Sequence, residues 1–519
     1  MLRENQTSNK SRLKRSFANS SFSLLYKGID AIMGFVLRTI FINTLGKTYL
    51  GLSGLFANIL TVLSLIELGI GGAIVYALYE PLAQDNKPKI AALMQLYKKA
   101  YTIIGVLVSA IGLCLTPLLK YVLNLPQNVD GIYIIYWLTI ANTAVTYFFS
   151  YKRSLLLADQ RSDINSKNLI LYRFTRFFIL IATMYLTKNY FLYLLLDFIN
   201  SLASNIHVSI LVNKRYDYLK TEMTIPIERV EKRNIIKYIS SGILFKMGQT
   251  VVNSTDNILI SAFLGTILIA LYSNYGMIIG NLEVIIYLVF NGITSSIGNY
   301  VVCSDEEKAE SLFKKVFFAN FCVSFISSVC LLGLLSPFIQ LWAGTDYLLS
   351  NETVLVLIIN YYIVTLQKTC DCFMSAVGEM FYKNRYRGLV EAIVNLSISL
   401  FLVKCTNLGI TGVFLGTTAC FLVGRVWMDP NILYKCWFHG DYKKYMLYYM
   451  WLFVLTAVSG FVGSIISSQV FYHLGVSIVS WILVAALLLL FSFTVIVVVF
   501  HKMEEYKYFI RLLKAFLVR

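Results

Sequence analysis

Two lysines interrupt apolar runs at equivalent places in the chain. Lys27 follows the run Leu-Leu-Tyr and Lys246 follows the run Ile-Leu-Phe, an offset of 219 residues. Because a charge in hydrocarbon is costly, a lysine kept at one depth in both halves of a membrane protein is a candidate for substrate binding. A lysine that snorkels to an interface is the alternative interpretation.

The same offset recurs along the chain and indicates an internal repeat. It relates residues 45–46 to 264–265 and 89–94 to 308–313, and an offset of 220 relates Pro117 to Pro337. If each repeat holds an even number of spans, both halves have the same orientation and are related by an axis along the membrane normal. That arrangement predicts a cavity between two helical bundles.

Other charged residues accompany the two lysines. At about 100° per residue, Asp30 lies one helical turn from Lys27 and Arg38 lies on the same face. In the second repeat, Asp256 lies beside the position that corresponds to Arg38. Asp30 and Asp256 are therefore candidates for coupling to a proton or sodium ion, because a carboxylate and an anionic ligand compete for the same cation.

The composition predicts an all-α polytopic membrane protein. Hydrophobic residues make up 57% of the 519 residues, and the mean hydropathy is +0.68. Apolar runs of about 20 residues recur, long enough to cross a bilayer as helices. About fourteen spans are predicted, at 17–43, 49–78, 100–123, 132–157, 168–187, 190–212, 236–263, 266–300, 314–341, 353–379, 386–404, 408–432, 444–468 and 474–500.

The distribution of positive charge predicts the orientation. If both termini are cytoplasmic, 37 of the 45 lysines and arginines fall on the cytoplasmic side, and only four fall on outer connections. The net charge of +17 is then explained by short loops that face anionic membrane lipids, and no basic soluble domain remains to bind nucleic acid. The basic N-terminus is followed by a full span rather than by a signal-peptide cleavage site, so the first helix is expected to be retained.

The repeat predicts four segments. These are an N-terminal six-helix lobe (1–215), a basic cytoplasmic linker (216–235), a C-terminal six-helix lobe (236–440), and two additional helices with a cytoplasmic tail (441–519). The nine cysteines and four histidines show neither zinc nor redox spacing, so we expect no metal site and no cofactor. The longest outer connection has about a dozen residues, which argues against a membrane-embedded glycosyltransferase or polymerase and against an enzyme in general.

The N-terminal half carries a more specific pattern. Leu-Gly at 45–46 and Leu-Gly-Leu at 50–52 precede the segment Glu-Leu-Gly-Ile-Gly-Gly at 67–72, which is followed by a Pro-Leu-Ala motif at 81–83. This order resembles the polysaccharide repeat-unit flippases of the Wzx type, in the multidrug/oligosaccharidyl-lipid/polysaccharide exporter superfamily. In motif terms the resemblance is strong only for residues 20–105.

The resemblance implies a fourteen-helix alternating-access transporter in the bacterial cytoplasmic membrane. Its substrate would be an undecaprenyl-diphosphate-linked oligosaccharide, and a polysaccharide polymerase or export machinery would be its partner. Two alternatives on the same fold are a multidrug or cation antiporter, which would favour an acidic pocket, and a peptidoglycan-precursor flippase, which would share a cationic one.

A diphosphate needs fixed cations inside the membrane, so lysine and arginine are the appropriate residues. Lys27 and Lys246 are the main candidates, and Arg38 is an accessory one. Arg173 and Arg176, one turn apart, are weaker candidates, because a snorkelling pair at a cytoplasmic helix end is an equal alternative.

The charge asymmetry generates a test of topology. In a cysteine-free background, we expect single cysteines near three outer positions to react with an impermeant maleimide added outside: Lys120, Asp346 and His473. Cysteines near three inner positions should react only after permeabilisation: Lys87, Lys220 and Lys443. Reversal at any one of the six would contradict the fourteen-span arrangement.

Overall fold

The protein, described here from a computed structural model, is helical. The backbone is described for residues 2–67, 70–122, 129, 131–159, 161–220, 250–252, 254–303, 306–377, 384, 386–438 and 440–517. Within these ranges, the description covers the backbone alone for residues 2–27, 65–66, 70–74, 76, 83, 122, 162, 220, 291–296, 298–303, 306, 376–377 and 512–517. No residue in the described ranges forms a β-strand, and the prediction of an all-α polytopic membrane protein is confirmed.

The described residues form a series of helices. In chain order they are α1 (Leu2–Leu63), α2 (Ile70–Ala83), α3 (Lys87–Cys114), α4 (Leu119–Val122), α5 (Ile132–Ala158), α6 (Ser162–Thr187), α7 (Tyr190–Arg215), α8 (254–264), α9 (Thr266–Cys303), α10 (Glu306–Ala343), α11 (Asn351–Leu366), α12 (Lys368–Val377), α13 (Arg387–Cys405), α14 (Ile410–Phe421), α15 (Asp429–Leu433), α16 (Tyr442–Leu474), α17 (Ile478–Phe500) and α18 (Glu504–Leu517). Helices satisfy their backbone hydrogen bonds internally, which a chain surrounded by lipid requires.

Twelve segments of the described chain are long and apolar enough to cross a membrane. Two features of the described chain account for the difference from the fourteen predicted spans. The predicted span 236–263 begins in 221–249, outside the described residues. The predicted spans 17–43 and 49–78 both extend into one candidate span, Gly28–Leu63. They are therefore counted as one span rather than two.

A glycine separates the two predicted spans within α1. Gly46 has φ 78° and ψ −174°, a conformation essentially limited to glycine, so the helical geometry is interrupted there. Its repeat counterpart, Gly265, also has a positive φ, 101°, at the junction of α8 and α9. The two Leu-Gly pairs that the repeat relates, at 45–46 and 264–265, therefore both have a glycine with positive φ.

The described contacts divide the chain into two compact units. Unit 1 comprises 1–39, 272–384 and 417–519, and unit 2 comprises 40–271 and 385–416. The two six-helix lobes were predicted from the sequence repeat, whereas these units are defined by contacts. The division into lobes therefore stays a prediction. Most of the predicted linker lies within 221–249, outside the described residues.

Unit 1 is built around α10, which packs against α11, α16 and α17. Its core near the start of α10 is aromatic: Phe313 stacks on Phe317 with ring centroids 5.8 Å apart, and Phe373 and Phe438 contact Phe313 at 5.2 and 5.3 Å. The predicted C-terminal tail forms a further helix, α18, whose Phe509 packs against α10.

Unit 2 packs α5 against α3, α6 and α7. Unlike the aromatic core of unit 1, the interior between α5, α6 and α7 is polar. Buried polar side chains follow one another along α7 at roughly helical spacing: Asp197, Asn200, Ser204, Asn205 and Ser209. This stripe positions the charged residues of unit 2.

Candidate functional site

The first helix places Arg38 against the start of α9 in unit 1. The Arg38 Nε donates a hydrogen bond to Asn274 Oδ1 at 2.9 Å, and its Nη2 donates to Ser273 Oγ. Tyr347 also lies close enough to interact electrostatically with the guanidinium. Arg38 is thus a half-buried cation held in place by uncharged groups of another helix.

The structure describes the backbone of Lys27 but not Lys246. Lys27 lies in α1, but its side chain is outside the described part of the chain, and Lys246 lies within 221–249, also outside it. Asp30, on the same helix, is half-buried. The predicted roles of Lys27, Lys246, Asp30 and Arg38 stay predictions.

An apolar cavity lies beside this part of α1. It has a volume of about 680 Å³ and lies within unit 1, where Ile32 and Phe35 form one wall and α9, α10 and α17 supply the others. Phe35 also stacks on Trp342 with ring centroids 4.2 Å apart. The indole Nε1 of Trp342 donates to Thr39 Oγ1 at 2.7 Å, which fixes this wall beside Arg38.

In unit 2, Arg176 of α6 forms an ion pair with Asp197 of α7. Its Nε lies 2.5 Å from Asp197 Oδ1 and its Nη2 lies 3.2 Å from Oδ2, a bidentate geometry. Asn142 Nδ2 donates to the same carboxylate at 3.3 Å. This pairing favours the structural interpretation of Arg176, whereas Arg173, one turn earlier, is half-buried and outside this pair. Neither residue has a tested role in binding.

Asp256 is buried in unit 2 and contacts α13. Its Oδ1 accepts a hydrogen bond from Asn395 Nδ2 at 3.2 Å, and Asn395 Oδ1 accepts from Thr255 Oγ1 at the same distance. Only 5% of Asp256 is exposed, so its ionisation state matters for the helix packing around it. Among the described residues, no cluster of three or more His, Cys, Asp or Glu residues could hold a metal ion.

The family of polysaccharide biosynthesis proteins matches residues 16–294, more than half of the chain. The chain belongs to this family. The resemblance predicted from the N-terminal motifs is therefore confirmed, whereas the substrate stays a prediction. No curated protein matches the sequence.

Solved structures show the same fold in distant relatives of this polysaccharide biosynthesis family member. An inward-facing multidrug resistance MATE family transporter of the MOP superfamily matches with 14% identity and a TM-score of 0.64, over 78% of this chain and 94% of that one. The lipid II flippase MurJ in an inward closed conformation matches with 12% identity and a TM-score of 0.62, over 93% and 98%. A MOP superfamily transporter from Pyrococcus furiosus matches with 15% identity and a TM-score of 0.52, over 79% and 93%.

Arg425 is a buried cation that the sequence did not single out. The residue is 2% exposed and lies in a π-helical segment, Leu422–Met428, that continues α14. Its guanidinium carbon lies 4.6 Å from the Phe421 ring centroid. The sequence Asp-Pro at 429–430 resembles the start of a loop, but Pro430 occupies the first turn of α15, where a missing N–H is tolerated.

Arg425 joins a charged cluster in unit 1 that the sequence indicated only in part. Glu283 of α9 interacts electrostatically with both Arg425 and Lys368. Lys368 Nζ lies 4.0 Å from Asp371 Oδ2, as the spacing of three residues predicts. The Lys368–Asp371 pair therefore belongs to a cluster that includes Glu283 of α9.

The Arg176–Asp197 pair distinguishes the two interpretations of Arg176. If the role is structural, Arg176→Ala should lower the free energy of unfolding by about 2–3 kcal/mol, because it leaves a largely buried carboxylate without its cation. Arg176→Ala combined with Asp197→Ala should cost less than the two single changes together.

The measurement is chemical unfolding of the purified protein in detergent, with the exposed Lys167→Ala as control. A variant Arg176→Ala that unfolds like the native protein but no longer transports substrate would instead support diphosphate capture.

Proposed function

We propose that this protein flips undecaprenyl-diphosphate-linked oligosaccharide repeat units across the bacterial cytoplasmic membrane, by alternating access, for cell-surface polysaccharide biosynthesis. One observation carries the proposal: a chain with the multi-span fold of MOP superfamily transporters belongs to a polysaccharide biosynthesis family. An oligosaccharide assembled on a lipid carrier inside the cell must cross the membrane before it is joined to a surface polymer. Both termini would then lie in the cytoplasm.

The diphosphate would be held by Lys27 and Lys246, one from each repeat, with Arg38 as an accessory cation. Ser273 and Asn274 orient the Arg38 guanidinium through hydrogen bonds. A guanidinium fixed in this way suits a phosphate, which it can contact through two N–H groups at once. A ligand shared by both repeats would also favour a closed form over an open one.

The apolar cavity of unit 1 supports a substrate with a long hydrocarbon chain. Its walls are almost entirely apolar, and its α1 wall includes Phe35, one turn before Arg38. An isoprenoid chain could therefore occupy apolar surface while the diphosphate remained near the cation. Hydrocarbon burial of this kind contributes about 0.8 kcal/mol for each CH₂ group.

The same fold supports two alternatives. The MATE neighbour is a multidrug resistance transporter and MurJ is a lipid II flippase, according to their structures' descriptions. Drug or cation export would require a site that attracts cations, whereas the proposed diphosphate site relies on Lys27, Lys246 and Arg38. A polysaccharide polymerase or export machinery would be the partner that receives the flipped oligosaccharide. Transport of this kind requires no cofactor and no catalytic residue.

The two lysines can be tested in vesicles that contain purified protein and a fluorescent lipid-linked oligosaccharide. We expect Lys27→Ala and Lys246→Ala each to slow flipping by about 10- to 100-fold, the effect of losing one charged hydrogen bond of about 1.5–3 kcal/mol. Replacement by arginine should restore part of the rate, because the charge is kept but the reach and hydration differ.

The control for the lysine experiment is Lys120→Ala, which removes an exposed cation from the same protein. Its flipping rate should equal that of the native protein. Normal flipping by both Lys27→Ala and Lys246→Ala would show that the cationic-site mechanism is wrong, although the family and the fold would stand.

Coupling to an ion is a separate proposal for Asp30 and Asp256. Each carboxylate would release a proton or sodium ion when the cations engage phosphate. We expect Asp30→Asn and Asp256→Asn to abolish the dependence of the flipping rate on pH or sodium, measured in the same vesicles with imposed gradients. Asp197→Asn, which alters a paired carboxylate, should retain that dependence. An unchanged dependence in both variants would eliminate the coupling role.

A further inference from the structure

Near the end of α5, Arg153 is held by uncharged oxygens from two neighbouring helices. Its Nη1 donates to Asn165 Oδ1 at 2.8 Å, and its Nη2 donates to Asn168 Oδ1 at 3.0 Å and to Ser204 Oγ at 3.1 Å. Asn205 Oδ1 lies 3.5 Å from the same Nη2. The guanidinium is therefore fixed in position between α5, α6 and α7.

A second cation lies next to it. The Lys152 ammonium donates to Ser209 Oγ on α7 and lies 5.8 Å from the ring centroid of Tyr151. Lys98 of α3 is close enough to interact electrostatically with Lys152. Both Lys152 and Arg153 are half-buried, and both belong to the candidate span Ile132–Ala158.

Within the described part of the chain, no carboxylate pairs with either cation. Amide and hydroxyl oxygens satisfy the N–H groups of Arg153 but leave its positive charge uncompensated. By contrast, Arg176 of α6 has Asp197 of α7 as its counter-charge. Two adjacent, partly desolvated cations without an acid are costly, and the neighbouring Lys98 adds repulsion. Helix packing alone gives no reason for this cost, because a neutral side chain could also bridge the three helices.

We infer that Lys152 and Arg153 form an anion site in unit 2 that takes a phosphate-bearing group. The Arg153 Nε makes no hydrogen bond with the described residues and one Nη1 hydrogen has no described acceptor, so N–H groups remain for a ligand. Asn165, Asn168 and Ser204 fix the guanidinium, and this preorganisation lowers the entropic cost of binding. The ligand is the diphosphate of the substrate or the headgroup of an anionic membrane lipid.

This inference rests on the proposed function only for the identity of the natural ligand. The charge distribution predicts that this end of α5 faces the cytoplasm, the side on which a lipid-linked oligosaccharide is made. The site would then receive the diphosphate before Lys27, Lys246 and Arg38 engage it. The predicted span 132–157 contains Lys152 and Arg153, but their spacing did not mark them as a site.

The test uses the full-length protein in nanodiscs of phosphatidylcholine, with inorganic pyrophosphate as the probe. Isothermal titration calorimetry should show that Arg153→Gln and Lys152→Gln each weaken pyrophosphate binding about tenfold or more, as expected for a lost charge-assisted contact. Arg153→Lys should lose less, because it keeps the charge. Lys167→Gln removes an exposed cation from α6 at the same end of the unit and should bind like the native protein.

A purely structural role for Arg153 gives a different result. Arg153→Gln would then lower the thermal unfolding midpoint of the unliganded protein while its pyrophosphate affinity stayed unchanged, and that outcome would overturn the inference. Lys152→Gln leaves the Arg153 hydrogen bonds intact, so it tests the site even if Arg153→Gln fails to fold. Failure of the native protein to bind pyrophosphate would also overturn it.

Lipid composition separates the two sources of the anion. If a headgroup occupies the site, discs of phosphatidylglycerol should weaken pyrophosphate binding to the native protein but not to Arg153→Gln. If the site serves the substrate, lipid composition should have no effect and Arg153→Gln should raise the substrate concentration needed for half-maximal flipping. A native protein that binds pyrophosphate through Arg153 but flips no lipid-linked oligosaccharide would support the site and refute the proposed function.

Discussion

The free-energy cost of placing charge among apolar helices governs the interior of this protein. The surroundings of the described arginines within the candidate spans differ from place to place. Arg176 and Arg387 each lie beside a carboxylate, Asp197 and Glu391 respectively. Arg153 is held through amide and hydroxyl oxygens.

The difference has functional meaning. A carboxylate neutralises a cation permanently, so a pair such as Arg387–Glu391 within α13, with both side chains almost fully buried, lowers the cost of burying each charge. Neutral oxygens satisfy the hydrogen bonds of a guanidinium and fix its direction but leave its field intact. A protein that must admit a phosphate briefly and then release it needs the second arrangement, because an anion can bind without first displacing another anion.

The sequence was sufficient to predict the membrane class, the helical fold and the family, because apolar length and the Glu-Leu-Gly-Ile-Gly segment are local signals. It also located the break near Gly46. It could not place Arg425 or Arg153, since neither lies at a diagnostic spacing and each is adjacent to residues typical of loops. Their partners lie on other helices: Glu283 is 142 positions from Arg425, and Ser204 is 51 positions from Arg153. Such neighbours follow from tertiary packing, which hydropathy and charge counts do not contain.

Gly46 and Gly265 show what the two related Leu-Gly motifs have in common. Gly46 has no neighbouring atom within 4 Å of where a Cβ would lie, so packing would tolerate a larger residue there. The constraint is entirely the backbone conformation, which an L-amino acid with a side chain adopts only under strain. The companions of Lys27, Asp30 and Arg38, correspond to Gln249 and Asn257 at the same offset of 219 residues. The related positions therefore agree in backbone conformation at the glycines, whereas the side chains beside the two lysines differ in chemistry.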